Sequence, residues 1–201
     1  MSLLLKVFNR YRRYSARFRS AWHRQWFLIT ETPRHRKIEL GKNVIFHVPV
    51  MGGGEGTIHI GDNTNFGFRL AGRLGNGEIL LQARTPEAEI VIGRDNWLNN
   101  NTSLCAVQSI RIGNLCRIGD FVAILDADFH EINPATRNRS VGTIKPVSIG
   151  NNVWIGSRVM ILKGASIGDN SVIAAMSVVT SAIPANCVAA GVPAKVIRKI
   201  E

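Results

Sequence analysis

The length and composition of the chain favour one compact domain with a short additional segment. The chain has 201 residues, of which 45% are hydrophobic, and this content excludes a wholly disordered protein. No apolar run approaches the roughly 20 residues that span a bilayer, and Leu3 to Leu5 are too few for the core of a signal peptide. The three cysteines have no zinc-type spacing, which predicts reduced thiols, no metal and a cytoplasmic location.

The positive charge is concentrated at the start of the chain. Residues 1–42 hold 11 of the 25 Lys and Arg residues, against Glu31 and Glu39 as their acidic residues. They therefore carry most of the formal net charge of +11, and the rest of the chain is nearly neutral. We divide the sequence into a basic leader over residues 1–40 and a main domain over residues 41–200.

The leader is predicted to form an amphipathic helix rich in aromatic residues. Apolar side chains recur at steps of three and four residues: Leu4, Val7, Phe8, Tyr11, Tyr14, Phe18, Trp22 and Trp26. Three interpretations fit this helix: contact of residues 1–30 with an anionic membrane surface, docking on its own domain or a neighbouring subunit, and nucleic-acid binding. No recognition helix, zinc motif or single-strand-binding pattern accompanies the charge, and we therefore expect no nucleic-acid partner.

A period of six residues organises the main domain. An aliphatic residue returns at every sixth position in two stretches: Ile112, Ile118 and Ile124, then Ile149, Ile155, Ile161, Ile167, Ile173 and Val179. Neither an α-helix nor an ordinary strand has this period. Three hexads would form a triangular coil of about 18 residues, each hexad supplying one short strand and one corner. Ile149 would then lie over Ile167, and Ile155 over Ile173.

Gly, Asn and Asp occur where the corners are expected, as in Gly61-Asp62-Asn63 and Gly168-Asp169-Asn170. These residues tolerate the backbone conformations that tight turns require. The sequence therefore predicts an all-β chain folded as a parallel β-helix of hexapeptide repeats, with an N-terminal amphipathic helix and a protruding loop.

The second half of the chain resembles a known enzyme family. The segments NNVWIGSRVMILKGASIGDNSVIAAMSVVT and IPANCVAAGVPAKVIRKI are similar to the hexapeptide-repeat acyltransferases, in particular the maltose or galactoside and the polysaccharide O-acetyltransferases. The resemblance is strong over residues 92–200 and looser over residues 41–91. It implies a left-handed winding, a homotrimer, acetyl-CoA as acyl donor and a sugar hydroxyl as acceptor. It favours a cell-surface polysaccharide or its lipid-linked precursor as the source of that hydroxyl.

A histidine precedes a long interruption of the repeat. His130 closes the segment ILDADFH, and residues 131–146 show no six-residue period. By resemblance, this loop reaches over the site of a neighbouring subunit, and His130 is the general base that takes the proton of the attacking hydroxyl. The resemblance also gives the backbone N–H of Ser157, with or without its hydroxyl, the stabilisation of the oxyanion. Asp126 and Asp128 are candidates to orient the imidazole, and capping of backbone N–H groups is an equally good interpretation of either.

The resemblance also indicates residues that bind the two substrates. The coenzyme is expected in a groove between subunits, against Trp154, Ser157, Ala175 and Thr180, with its phosphates near Lys195 and Arg198. For the acceptor we expect Asn99, together with Arg137 and Arg139 of the loop.

Other functions are compatible with a β-helix. A γ-type carbonic anhydrase shares the fold but needs several metal-binding histidines, and no histidine follows His130. A non-catalytic scaffold and an acetyltransferase for a small soluble acceptor other than a sugar are the remaining alternatives.

Overall fold

The computed structural model describes residues 18–68 and 75–201. Residues 18–31 are helical and belong to helix α1, which ends at residue 31. The predicted apolar positions from Leu4 to Tyr14 lie outside the described residues. No helix within the described ranges is long and apolar enough to cross a membrane.

The strands of the described chain form three sheets. The first sheet contains β1 (Lys37–Leu40), β4 (Thr57–Ile60), β7 (Glu89–Ile92), β10 (Ser109–Ile112), β13 (Val147–Ile149) and β16 (Ser166–Ile167). The second contains β2 (Ile45–Phe46), β5 (Asn65–Phe66), β8 (Trp97–Leu98), β11 (Arg117–Ile118), β14 (Trp154–Ile155), β17 (Val172–Ile173), β19 (Cys187–Gly191) and β20 (Ala194–Lys199). The third contains β3 (Val50–Met51), β6 (Ile79–Ala83), β9 (Ser103–Ala106), β12 (Ala123–Leu125), β15 (Met160–Ile161) and β18 (Val178–Val179).

The chain visits the three sheets in turn and forms a parallel β-helix, which is of the left-handed type. Ile149 pairs with Ile167 and Ile155 with Ile173, which confirms the predicted stacking of successive coils. These isoleucines are buried inside the coil, where the six-residue period placed them. The predicted fold class is therefore correct.

Three corners join the sheets. The first corner, between the first and second sheets, contains asparagines whose backbone conformation and side-chain hydrogen bonds account for their place in the repeat. Asn152 and Asn170 have φ angles of 54° and 59°, in the left-handed region that asparagine tolerates better than most residues. Their side chains form a ladder, since the Asn152 amide donates to Asn170 Oδ1 at 3.0 Å and the Asn170 amide to Asn186 Oδ1 at 2.9 Å. The corner is thus held by both backbone conformation and side-chain hydrogen bonds.

Helix α1 packs on the first coil of the β-helix. Phe27 is fully buried against Phe46, with ring centroids 5.6 Å apart, and Ser20 Oγ accepts a hydrogen bond from the Phe46 N–H at 3.1 Å. The first strand, β1, already begins at Lys37, within the segment predicted as leader. At the other end of the molecule, β20 pairs antiparallel with β19.

The opposite face of α1 carries the described part of the predicted apolar stripe. The predicted side chains are exposed on this chain, Phe18 by 72%, Trp22 by 58% and Trp26 by 48%, and Ile29 beside them is exposed by 59%. The rings of Trp22 and Trp26 stack at 6.3 Å between centroids. The stripe therefore does not dock on its own domain, because a different face of the helix, including Phe27, makes that contact.

Candidate active site

The long interruption leaves the β-helix at the third corner, between the third and first sheets. Strand β12 ends at Leu125 and β13 begins at Val147, so the loop and its base occupy the residues between them. At the base of the loop the outgoing and returning segments pair briefly in antiparallel fashion. Ala127 and Ile144 form a β-bridge, and the Asp128 N–H donates a hydrogen bond to the Thr143 carbonyl at 3.1 Å. His130 follows directly on this closed base.

The His130 ring has a defined partner inside the loop. Its Nδ1 lies 3.3 Å from the carbonyl oxygen of Arg137. A carbonyl oxygen only accepts hydrogen bonds, so Nδ1 must be the donor, and in the neutral imidazole the lone pair then lies on Nε2. The ring is exposed on this chain and can present Nε2 to a substrate.

The two aspartates expected near His130 have other partners. Asp126 is fully buried and accepts hydrogen bonds from the backbone N–H groups of Val107, Gln108 and Ser109 at 2.7, 2.8 and 2.7 Å. Asp128 forms an ion pair with Lys163 from the following coil. Of the two interpretations of Asp126, the structure favours capping of backbone N–H groups. The hydrogen-bond acceptor beside the His130 ring is a backbone carbonyl, and a backbone carbonyl cannot be recognised in a sequence.

The second corner, between the second and third sheets, brings together another group of site residues. Asn99, Gly119 and Gly156 occupy equivalent positions in successive coils, because the N–H of Asn99 donates to the Ile118 carbonyl and the N–H of Gly119 to the Ile155 carbonyl. A Cβ on Gly119 would lie 2.6 Å from the Ser157 nitrogen. Glycine at this position therefore permits the close approach of the backbone at Ser157.

Ser157 has a side-chain partner that the sequence analysis missed. Its hydroxyl is hydrogen-bonded to the carboxylate of Asp120, which lies in the preceding coil at the same corner. Since a carboxylate accepts, the Ser157 hydroxyl is the donor, and its proton is engaged. Within the described residues the backbone N–H of Ser157 has no protein acceptor, so it is the free donor at this residue.

The residues expected to bind the coenzyme are exposed at different places on the coils. Trp154 on β14 is 60% exposed, and Ala175 lies at the second corner in the coil that follows Ser157. Thr180 follows β18, while Lys195 and Arg198 belong to β20. In the loop, Arg139 is exposed, and the guanidinium of Arg137 donates to the Ile132 carbonyl at 3.1 Å.

One chain does not unite all of these residues. His130 lies at the third corner, whereas Asn99, Asp120 and Ser157 lie at the second corner, and the width of the third sheet separates the two groups.

The cysteines do not offer a nucleophile. Burial raises the pKa of the Cys105 thiol and of the Cys116 thiol above their ordinary value, which disfavours the reactive thiolate at neutral pH. Cys187 is buried. Among the residues that the structure describes, no group of three or more His, Cys, Asp or Glu side chains is arranged to hold a metal ion.

Comparisons with known proteins agree on the repeat. The family model described as bacterial transferase hexapeptide (six repeats) matches residues 146–181. Galactoside O-acetyltransferase of Escherichia coli is 44% identical over 113 residues, which make up 56% of this chain and 55% of that protein. The chain thus spans about half the length of the curated relatives it matches.

Solved structures match over a larger share of the chain. A galactoside acetyltransferase in complex with coenzyme A is 32% identical, with a TM-score of 0.55 over 83% of this chain and 66% of that chain. An N-acyltransferase from Bacillus cereus, in complex with dTDP and 3-hydroxybutyryl-CoA, has a TM-score of 0.65 over 85% of this chain and 86% of that chain. Its identity is 20%, so this likeness concerns the fold alone.

Proposed function

We propose that the chain belongs to the hexapeptide-repeat acyltransferase family and that it transfers an acetyl group from acetyl-CoA to a sugar hydroxyl. The observation that carries this proposal is the 44% identity to galactoside O-acetyltransferase of E. coli. The position of His130 at the base of the loop supports it.

In the proposed reaction His130 is the general base. A sugar hydroxyl is a poor nucleophile at neutral pH, so Nε2 takes its proton as the oxygen attacks the thioester carbonyl. The C–S bond then breaks, and the imidazolium returns the proton to the leaving thiolate, which yields the acetyl ester and free coenzyme A. The hydrogen bond from Nδ1 to the Arg137 carbonyl supports this role, because it holds the tautomer in which Nε2 can accept a proton.

The oxyanion that forms during the attack needs a fixed donor. The backbone N–H of Ser157 fits this requirement, since it has no protein acceptor among the described residues. The hydroxyl of the same residue is directed to Asp120. In this proposal the backbone N–H of Ser157 stabilises the oxyanion, and Asp120 positions Ser157 through the hydroxyl.

The complete site is proposed to lie between two chains of a homotrimer. The distance between the third and second corners supports this arrangement, because His130 of one chain can meet Ser157 of a neighbour. The strands of the third sheet contain no charged residue, unlike those of the first sheet, which include Lys37, Glu39 and Arg111. An uncharged sheet face between the two corners suits a subunit contact.

The coenzyme is proposed to run along the coils from Ser157 toward the C-terminal end of the β-helix. Trp154, Ala175 and Thr180 would contact the pantetheine arm, and Lys195 and Arg198 on β20 would bind phosphate groups. Asn99, Arg137 and Arg139 would contact the acceptor. The transfer is proposed to be direct, without an acyl-enzyme intermediate, and the raised pKa of the Cys105 and Cys116 thiols supports this.

The acceptor is proposed to be a cell-surface polysaccharide or its lipid-linked precursor, met at the inner face of a membrane. The exposed stripe of Phe18, Trp22, Trp26 and Ile29 supports this, because aromatic side chains flanked by arginine suit the headgroup region of an anionic bilayer.

The proposed function is tested with purified protein, acetyl-CoA and a panel of sugars, by following the release of free thiol. We expect His130→Ala to lower kcat by about 10²-fold or more, with acetyl-CoA binding unchanged, because general-base catalysis contributes about that much. His59→Ala, at a half-buried histidine on the first sheet, is the matched control and should retain activity. Turnover of His130→Ala at the control rate would contradict the catalytic role, and a wild-type protein that transfers to no sugar would favour the scaffold.

A further inference from the structure

Three rings form a group beside the second corner that the proposed reaction does not use. The rings of His47 and Trp97 are nearly parallel, with centroids 6.2 Å apart and 10° between their planes. Phe68 meets Trp97 edge-on, at 6.0 Å and 77°. We call His47, Phe68 and Trp97 the aromatic platform. Phe68 is 41% exposed, so the platform has an accessible apolar surface.

Hydrogen bonds hold the platform in place. The indole N–H of Trp97 donates to the Gly67 carbonyl at 3.1 Å, and the backbone N–H of Phe68 donates to Asn100 Oδ1 at 2.8 Å. A rigid aromatic surface loses little conformational entropy when a ligand covers it. The platform therefore has the rigidity that favours ligand binding.

The platform lies in line with the proposed site. The N–H of His47 donates to the Phe66 carbonyl, and the N–H of Gly67 to the Leu98 carbonyl, so His47, Gly67 and Asn99 form one column at the second corner. The same column continues through Gly119 to Gly156, beside Ser157. Since Trp97 and Trp154 lie on the same sheet two strands apart, about 10 Å separates their backbones. A ligand of a few linked rings can cover this distance.

Amide groups without partners lie between the platform and Ser157. Asn99 Oδ1, Asn100 Nδ2 and Asn101 Nδ2 are buried and have no hydrogen-bond partner among the described residues. Asn100 is fully buried, and an unpaired amide at such a depth costs stability. One of the three atoms accepts and the other two donate. Because these atoms are buried, a ligand on the surface does not reach them, and Asn100 serves the platform through its hydrogen bond to the Phe68 N–H.

We propose that the aromatic platform forms a subsite for a second sugar ring of an extended acceptor. The flat rings would contact the apolar face of the sugar, in line with Ser157 along the second corner. This inference rests on the proposed function and extends it, since it makes the acceptor an oligosaccharide or polysaccharide, with the reacting unit near Ser157 and the next unit at Trp97.

The test compares acceptors of different length. Wild-type protein and Phe68→Ala are assayed with acetyl-CoA and matched series of mono-, di-, tri- and tetrasaccharides. We expect the wild type to show kcat/KM at least about tenfold higher for the longer members than for the monosaccharide, and Phe68→Ala to lose this preference. Its kcat/KM for the monosaccharide and its KM for acetyl-CoA should stay at the wild-type values. Phe68→Leu, which keeps an apolar side chain without a flat ring, is a second variant in case the alanine change lowers the unfolding temperature.

Leu115→Ala is the matched control, because Leu115 is 50% exposed at the first corner, away from the platform. It should keep the preference for longer acceptors. A wild type that does not distinguish acceptor length, or Phe68 variants that keep the full preference, would overturn the subsite and leave the proposed function intact. Absence of transfer to every sugar would overturn the proposed function itself.

Discussion

Asp126 holds the base of the loop over residues 131–146 with a single buried carboxylate. Its two oxygens accept from three successive backbone N–H groups of the preceding coil, and its carbonyl accepts from the Lys145 N–H at 2.9 Å. The residue thus connects both ends of the loop to the preceding coil, and its described hydrogen bonds are to the backbone rather than to His130. It is a structural residue at the edge of the site.

We expect Asp126→Asn to lower the free energy of unfolding by about 1–3 kcal/mol. The amide cannot accept on both sides, so at least one buried N–H loses its partner. Asp62→Asn is the matched control, because Asp62 is exposed and accepts from the single N–H of Lys42, and it should change stability by about 0.5 kcal/mol or less. Urea unfolding of the two variants provides the measurement, and equal midpoints would contradict the role of Asp126.

Residues differ in how far the sequence could identify their partners. His130 was predicted from its place before the loop, but its acceptor, the Arg137 carbonyl, depends on how the loop folds back. Ser157 pairs with Asp120, and Asp128 pairs with Lys163. Each pair joins two coils that are separated in the sequence by the loop, so no local sequence pattern predicts it. Asp126 and Asp128 lie close to His130 in the sequence, but their side-chain partners belong to neighbouring coils.

Elements with a strict period were the most predictable part of the molecule. The repeat of six gives each isoleucine a unique inward position, and the stacking of Ile149 on Ile167 follows from it. Helix α1 was harder to interpret, because it has apolar residues on two sides. Phe27 packs on the β-helix, and the more conspicuous stripe with Trp22 and Trp26 faces away from it. Periodicity identified an amphipathic helix but not which face is buried within the chain.

The exposed stripe leads to a prediction about α1. We expect the protein to co-sediment with vesicles that contain phosphatidylserine, and the double change Trp22→Glu and Trp26→Glu to weaken this binding by at least about tenfold. Point changes are preferable to removal of residues 1–30, since the deletion would also uncover Phe46. Ile197→Glu alters a side chain that is 63% exposed on β20 and serves as the control. Equal binding of the double variant and the wild type would exclude the membrane contact.

At the scale of the whole molecule, the uncharged third sheet predicts the assembly. We expect a trimer in analytical ultracentrifugation, and Met160→Arg to dissociate it, because Met160 is 40% exposed on that sheet and a charge there would be buried in the contact. Activity should fall with the trimer, as His130 and Ser157 would no longer meet. Ser148→Arg places the same charge on the exposed face of the first sheet and should leave the trimer intact. A monomeric wild type that retains full activity would refute the shared site.

The two ends of the β-helix have a consequence of their own. A stack of parallel strands with bare ends can add further strands from other molecules and grow into a filament. Helix α1 covers the first coil through Phe27 and Ser20, and the antiparallel strand β20 lines the last edge of the second sheet. Helix α1, whose aromatic stripe is exposed, therefore also covers the end of the β-helix at which further strands could add.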